Sequence, residues 1–297
     1  MLRGRITADL NIFRTCFQNR FLEEINMKRY STVLTIAGSD SGGGAGIQAD
    51  IKAISATGGY AASAITAITV QNTLGVQDVM PVPVDIVKGQ IRAVLSDIGA
   101  DAVKIGMLHN AELIRAIKSV LEEFGIRNIV LDPVMVSTSG HRLIEESAIQ
   151  VLSDELIPMS RVITPNVPEA EILARETISS CSDLPRIARK LSNGGRVSVL
   201  MKAGHLLGDE VEDVFYNAEN DTLIKLISPR VDTVNTHGTG CTLSSAFASY
   251  LAQGYGLDNA ARASKAYITA ALKSGAGYEI GHGHGPVNHF YDGKEDL

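Results

Sequence analysis

The chain has 297 residues, 45% of them hydrophobic and 20% charged, with a formal net charge of -6. That is the composition of an ordinary soluble globular protein, long enough for one large α/β domain or two small ones. Its acids and bases are interspersed and no apolar run reaches the roughly 18–20 residues that span a bilayer, which argues against a nucleic-acid, anionic-membrane or transmembrane protein.

The stretch preceding Met27 has no glycine loop and no strand pattern. Phe13, Phe17, Phe21 and Ile25 recur at a spacing of four, which predicts one apolar stripe on a helix. Scattered charges leave no h-region for a secretory signal. This stretch reads either as an added helix that docks on the domain or a partner, or as an extension ahead of a start at Met27. The expected layout is an extension over residues 1–29 and a single domain over 30–297.

From Ser31 onward, strands and helices alternate. "TVLTIA" predicts a buried strand, "GIQADIKAISATG" a helix ended by glycines, and "AASAITAITV" the next strand. "VDIVKGQIRAVLSDIG" reads as a helix, "DAVKIGM" as a strand, "AELIRAIKSVLEEFG" as a helix and "NIVLDPVM" as a strand. A helix over Glu145 to Leu156, the strand "RVIT", helices from Val167 and Asp183, and the strand "VSVLMK" follow. "VEDVFYN" and "TLIKLIS" form an expected antiparallel pair around "AENDT", and helices from Thr239 and Asn259 close the pattern. Such alternation predicts an α/β fold in three layers, a mostly parallel sheet with helices on both faces. Ligands of such folds bind beyond the carboxyl ends of the strands, where "GSDSGGGAG", "QNT", "GML", "DPVM", "TPNVPE" and "KAGH" all fall.

Several of these loops carry chemistry. In "NTHGTGC" the two glycines, Gly238 and Gly240, with Thr239 between them, open a helix, where backbone N–H groups and the helix dipole favour an anion such as a phosphoryl group in transfer. A plain cap with Thr239 as N-cap explains the same letters. Cys241 sits in the first turn, where a thiol pKa falls below its usual ~8.5 and the group can act as a base; it reads equally as a small buried residue. "AGSDSGGGAGIQAD" is a phosphate cradle or a flexible substrate flap, but no Walker loop, since no Lys-Ser/Thr follows the glycines. Its looser dinucleotide fingerprint lacks the ribose-binding acid, which weakens a dehydrogenase reading. Asp132 and Glu169 are placed to hold Mg²⁺ through water, with Glu169 alternatively a first-turn acid. Lys202 reads as a phosphate contact or a solvated strand-edge lysine. "GHGHGPVNHF" brings His282, His284 and His289 close in sequence, but without a nearby acid it reads as a loop over the rim rather than a metal site. Three distant cysteines, Cys16, Cys181 and Cys241, argue against a disulfide framework and for a reducing cytosol.

Taken together, "TIAGSDSGGGAGIQAD", "ITAITVQNT", "VKIGML", "VLDPVM", "ITPNVPEA", "LMKAGH" and "NTHGTGC" resemble the hydroxymethylpyrimidine/phosphomethylpyrimidine kinases of thiamine biosynthesis, in the ribokinase-like superfamily. The resemblance runs from about Tyr30 to Phe290. It implies transfer of phosphoryl from ATP-Mg²⁺ to 4-amino-5-hydroxymethyl-2-methylpyrimidine and then to its monophosphate, and leaves a monovalent cation open as a further cofactor. It implies that Gln71 reads the pyrimidine's amino edge, that Gly38, Thr69, Met107 and Val134 wall the pocket, and that Asp50 lies close by. Asn166, Glu169 and Lys202 fall on the nucleotide and metal side, Gly238 to Cys241 form the anion hole with Cys241 as base, and Lys265 lies near the adenine-side helices. A cytoplasmic homodimer is the expected form, with small-molecule partners alone.

Two departures stand out. The family's "SDPSGGAG" is "SDSGGGAG" here, which predicts a more mobile first loop, and Asn288 replaces a histidine of "GPVHHF". The rival readings are a pyridoxal/pyridoxine kinase, against which "QNT" speaks, and a pyrimidine sensor that does not catalyse.

Overall fold

Apolar residues that alternate along the central strands send side chains to both faces of one sheet, and two sets of helices cover them. The computed structural model describes residues 28–136 and 143–292. The predicted apolar stripe from Phe13 to Ile25 lies outside those residues. From Ser31 the chain forms one compact unit.

The elements begin with β1 (Thr32–Asp40), α1 (Gly46–Ala56), β2 (Tyr60–Asn72), β3 (Gly75–Pro81) and α2 (Val84–Asp97). Next come β4 (Ala102–Ile105), α3 (Ala111–Glu123), β5 (Ile129–Leu131), α4 (Glu146–Val151), β6 (Val162–Ile163), α5 (Val167–Ala174) and α6 (Leu184–Leu191). β7 (Ser198–Met201), β8 (Glu210–Asn217), β9 (Thr222–Pro229), α7 (Thr239–Ala252) and α8 (Leu257–Gly275) complete the series. The strands form one nine-stranded sheet in the order β3-β2-β1-β4-β5-β6-β7-β8-β9. β1 pairs in parallel with both β2 and β4, and parallel pairing continues through β7. β3, β8 and β9 add antiparallel edges.

Period-two alternation builds both cores. Leu34, Val103, Ile129, Ile163 and Val199 face one cluster with α2 to α6, while Val33, Ala102, Val130, Val162 and Leu200 face a second with α7 and α8. The expected three-layer α/β fold, a mostly parallel sheet with helices on both faces, is therefore the observed one. Chain order reverses direction at β1, and the carboxyl ends of β1, β4, β5, β6 and β7 share one rim, as such folds require of their ligand sites.

Three local readings are corrected. β3 was not predicted: it folds back on β2 as an exposed ribbon, so Gln71 stands on a strand rather than in a loop. The single helix expected to run to Leu156 is a short α4 followed by a π-helical turn over Leu152–Leu156 and a 3-10 turn over Ile157–Met159. Pro158, with no N–H to give residue 154, ends regular winding there. α7 has Gly238 rather than Thr239 at its N-cap, while the Thr239 hydroxyl donates to the Thr236 carbonyl.

Candidate active site

The rim opens on a cavity of about 650 Å³. Gly38, Thr69, Gln71, Met107, Asp132, Val134, Asn166, Glu169, Lys202, Lys265 and Gly238 to Cys241 all border it. Residues drawn from nearly the whole length of the chain thus converge: most follow a strand end or open a helix at the same edge, Thr69 and Gln71 stand near the end of β2, and Lys265 reaches in from the middle of α8.

The first glycine loop is neither a phosphate cradle nor an open flap. Asp40, at the end of β1, accepts the N–H groups of Gly42, Gly44 and Ala45 at 2.8–3.0 Å, so the donors that would hold a ligand's anion already hold the chain's own carboxylate. Lys52 donates to the Gly43 carbonyl, pinning the loop predicted to be more mobile. Asp40 Oδ2 also lies 2.8 Å from His237 Nε2, which ties this loop to the second glycine loop ahead of α7. Burial pushes the Asp40 carboxyl up, but His237 and the loop N–H groups outweigh it and hold it below the ordinary carboxylate range.

Asp50 does not border the cavity, contrary to its expected place among the substrate contacts. It is fully buried on α1 and saturated: Lys104 Nζ donates to both its oxygens at 2.9 Å, Ser245 to one and Thr35 to the other. Its route to the cavity runs through Lys104, which does border it. Burial disfavours the Lys104 ammonium, yet Asp50, Cys241 and Asp132 together raise its pKa, so the charge stays. The reading of Cys241 as an acidified thiol is reversed. Burial pushes it up to about 11, with Asp50 and Asp132 adding, against the pull of Lys104 and the Gly46 N–H.

Lys202, far from being a solvated lysine, sits just past β7 with Nζ 2.7 Å from Asp132 Oδ1 and 4.0 Å from Glu169 Oε2. Asn166 and Glu169 form a capping box at the start of α5, each side chain taking the other's backbone N–H. The ammonium on Asp132 and the backbone N–H on Glu169 leave these hard oxygen donors suited to holding Mg²⁺ through water, the usual arrangement for that ion beside phosphates. Burial pushes the Glu169 carboxyl up to about 7, Asp132 adding and Lys202 opposing. Asp132 is also pushed up by burial, but Lys202 and Lys104 bring it below the ordinary range.

The Glu169 shift has a measurable sign. A carboxyl raised from 4.5 to about 7 binds its proton more tightly when folded. Its contribution is full below pH ~4.5 and is lost as the pH rises through 7, up to about 3 kcal/mol in all. Glu169→Gln keeps a capping acceptor and should flatten this slope, giving a chain more stable than the parent at pH 8. Urea midpoints at pH 5 and pH 8 test it, and an unchanged slope in the variant would assign the proton elsewhere.

A family model described as phosphomethylpyrimidine kinase matches residues 40–288. The hydroxymethylpyrimidine/phosphomethylpyrimidine kinase of Rhizobium meliloti is 49% identical over 87% of this chain and 96% of its own length. This chain belongs to the phosphomethylpyrimidine kinase family. The thiamine biosynthesis bifunctional protein ThiED of Geobacter sulfurreducens is also 49% identical over 87% of the chain, which spans about half (52%) of that protein's length. Among solved structures, an ADP complex of the Bacillus subtilis pyridoxal kinase superposes with a TM-score of 0.80 at 35% identity, covering 88% of this chain and 98% of that one.

Several residues of this phosphomethylpyrimidine kinase relative escaped sequence reading. Asp40 and His237 lie inside motifs whose sequence signal is dominated by glycines. Lys104 left a signal, a lysine amid the apolar run "AVKIGM", which a fully buried strand tolerates only with a partner. Lys265 lies on α8 at the cavity wall, but its ammonium is held by Asp213 at 2.7 Å, and Asp213 also takes the Ala203 N–H. The "GHGHGPVNHF" segment straps the rim: Gly283 and His284 donate backbone N–H groups to Thr73, and the Gly285 carbonyl accepts from His237. His289 is buried against Thr242, and Asn288 donates to Ser274.

Proposed function

We propose that this chain transfers the γ-phosphoryl group of ATP to the hydroxymethyl oxygen of 4-amino-5-hydroxymethyl-2-methylpyrimidine, and then to its monophosphate, giving the diphosphate used to build thiamine. The observation that carries the reading is one cavity bordered by Gln71 of β2, the glycine-fronted N-terminus of α7 and the Lys202–Asp132–Glu169 group. First-turn N–H groups have no intrahelical partner and point along the helix axis at incoming charge. In each transfer the new oxygen–phosphorus bond forms as the bond to ADP breaks. In the first the hydroxyl proton passes to Cys241 in its thiolate form, and in the second the attacking oxygen is an ionised one of the monophosphate, so no proton need move. The transition state of such transfers is loose, so positioning and electrostatics carry most of the rate.

Gly38, Thr69, Met107 and Val134 wall the flat ring, Asn166, Lys202 and Lys265 serve the nucleotide, and Asp132 and Glu169 would hold Mg²⁺ through water, the ion supplying charge neutralisation at the phosphates. The catalytic domain is residues 30–297, with 1–29 an extension. No helix among the described residues is long and apolar enough to cross a membrane. A cytoplasmic homodimer remains part of the proposal, with a monovalent cation to be tested in the same assay.

The similarity to a pyridoxal kinase favours one second reading, vitamin B6 phosphorylation, although the identity to it is 35% against 49% for the pyrimidine kinase. Coupled ATP turnover with Mg²⁺ on hydroxymethylpyrimidine, its monophosphate and pyridoxal separates them. Turnover of both pyrimidines well above pyridoxal is the expected result. A preference for pyridoxal overturns the pyrimidine assignment, and binding without turnover of any of them revives the sensor.

A further inference from the structure

The carboxamide of Gln71 lies between two groups whose protons are already committed. His237 Nε2 is 2.8 Å from Asp40 Oδ2. Asp40 also accepts three loop N–H groups and is held ionised, so it can only accept, and His237 Nε2 must carry the proton. On the other side, the Thr69 hydroxyl is 2.9 Å from the Ser39 carbonyl, again an acceptor only, so its single proton is spent there. Gln71 Nε2 facing His237 Nε2 at 3.3 Å would set donor against donor, and Oε1 facing Thr69 Oγ1 at 3.1 Å would set acceptor against acceptor. The two ends of a carboxamide have the same shape, and the surrounding protons decide their order. The opposite order satisfies every group: Oε1 shares the His237 proton with Asp40, and the NH₂ donates to Thr69 Oγ1.

We infer that Asp40 and His237 are specificity-determining positioning residues, which hold the Gln71 carboxamide in one of its two flips. What remains free on Gln71 is one lone pair on oxygen and one N–H, an ordered acceptor–donor pair. That order complements an amino group beside an unprotonated ring nitrogen. A 4-oxo pyrimidine carries the reverse, a carbonyl beside a ring N–H, and would need the other flip. This rests on the reading of Gln71 as the substrate contact.

The test compares the 4-amino hydroxymethylpyrimidine with its 4-oxo analogue as substrates. A site that has committed its polar groups rejects a mismatched partner strongly, so the parent should prefer the amino compound on the order of 10²–10⁴-fold in kcat/KM. His237→Leu releases the flip, and the preference should fall about tenfold or more, with the oxo analogue holding or gaining rate while the amino compound loses it. His237→Gln returns an N–H donor and should recover part of the ratio. Thr69→Val loosens the other end and should lower the ratio too. A purely structural role would depress both substrates and leave the ratio unchanged, and that result overturns the inference. Independently of turnover, ¹⁵N spectra of histidine-labelled parent protein must show Nε2 of His237 protonated; an unprotonated Nε2 overturns it as well. Should the parent turn over neither pyrimidine, the functional reading falls, and the ratio is then read from dissociation constants by calorimetry.

Discussion

Gly238→Ala is expected to lower kcat by about 10³-fold or more. Gly238 has φ +77°, a backbone conformation that L side chains rarely adopt, and its added Cβ would lie 1.8 Å from the Gly44 carbonyl oxygen. No side-chain movement relieves that contact, because both partners are backbone. The two glycine loops must part, which displaces the first-turn N–H groups of α7 together. Loss of a single such donor costs roughly 10²–10³ in kcat, so displacement of the group falls at the upper end or beyond. Gly89→Ala, on α2 with nothing within 4 Å of the new atom, serves as the comparison and should keep full activity. Steady-state kinetics and a thermal melt on both variants give the answer. A Gly238→Ala enzyme within tenfold of the parent would remove the anion hole from the mechanism.

Cys241→Ala comes second in size, at about 10²-fold in kcat at pH 7, the low end of what a base contributes. The reason is the thiol itself: pushed up to about 11, it is almost wholly protonated at neutral pH. The active form is the thiolate, so raising the pH increases it tenfold per unit until the pKa is approached. Where the chemical step limits turnover, kcat of the parent should therefore climb between pH 7 and pH 10, and Cys241→Ala should lose the climb. Equal pH profiles, or full activity in the variant, would leave the substrate hydroxyl without a base at this position. A steep profile would instead mark Cys241 as a strong base that is scarce at neutral pH.

Strand ends and glycines were legible from the sequence because each is a local signal. β-branched runs alternate with helical periods, and the polar rim loops sit between them, so β1, β4, β5, β6 and β7 were all foreseen as strands. β3 escaped because "GVQDVMP" is short, exposed and held by one neighbour, with little burial to impose a pattern. The candidate site was legible residue by residue but not in its partnerships. Asp50 looked like a substrate contact, since nothing near it in sequence reveals Lys104 or Ser245 as partners. The glycine loop after Asp40 reads as free to bind phosphate, yet the anion that occupies its N–H groups is the Asp40 side chain, two to five residues earlier. The thiol of Cys241 was read from helix position alone, while its burial depends on chain far away. Charge balance in a buried site is a tertiary property, and spacing carries no record of it.

The contact between the two glycine loops also dictates when a catalyst exists at all. Asp40 and His237 stand 197 residues apart, and Asp50 waits across 195 residues for Ser245. Fragments that stop short of Asn235 lack the second loop, the N–H groups and the thiol together, however well their strands have paired. During synthesis the pocket therefore has no half-built form: it is completed only when α7 and α8 leave the ribosome and the loop ahead of α7 closes on the end of β1.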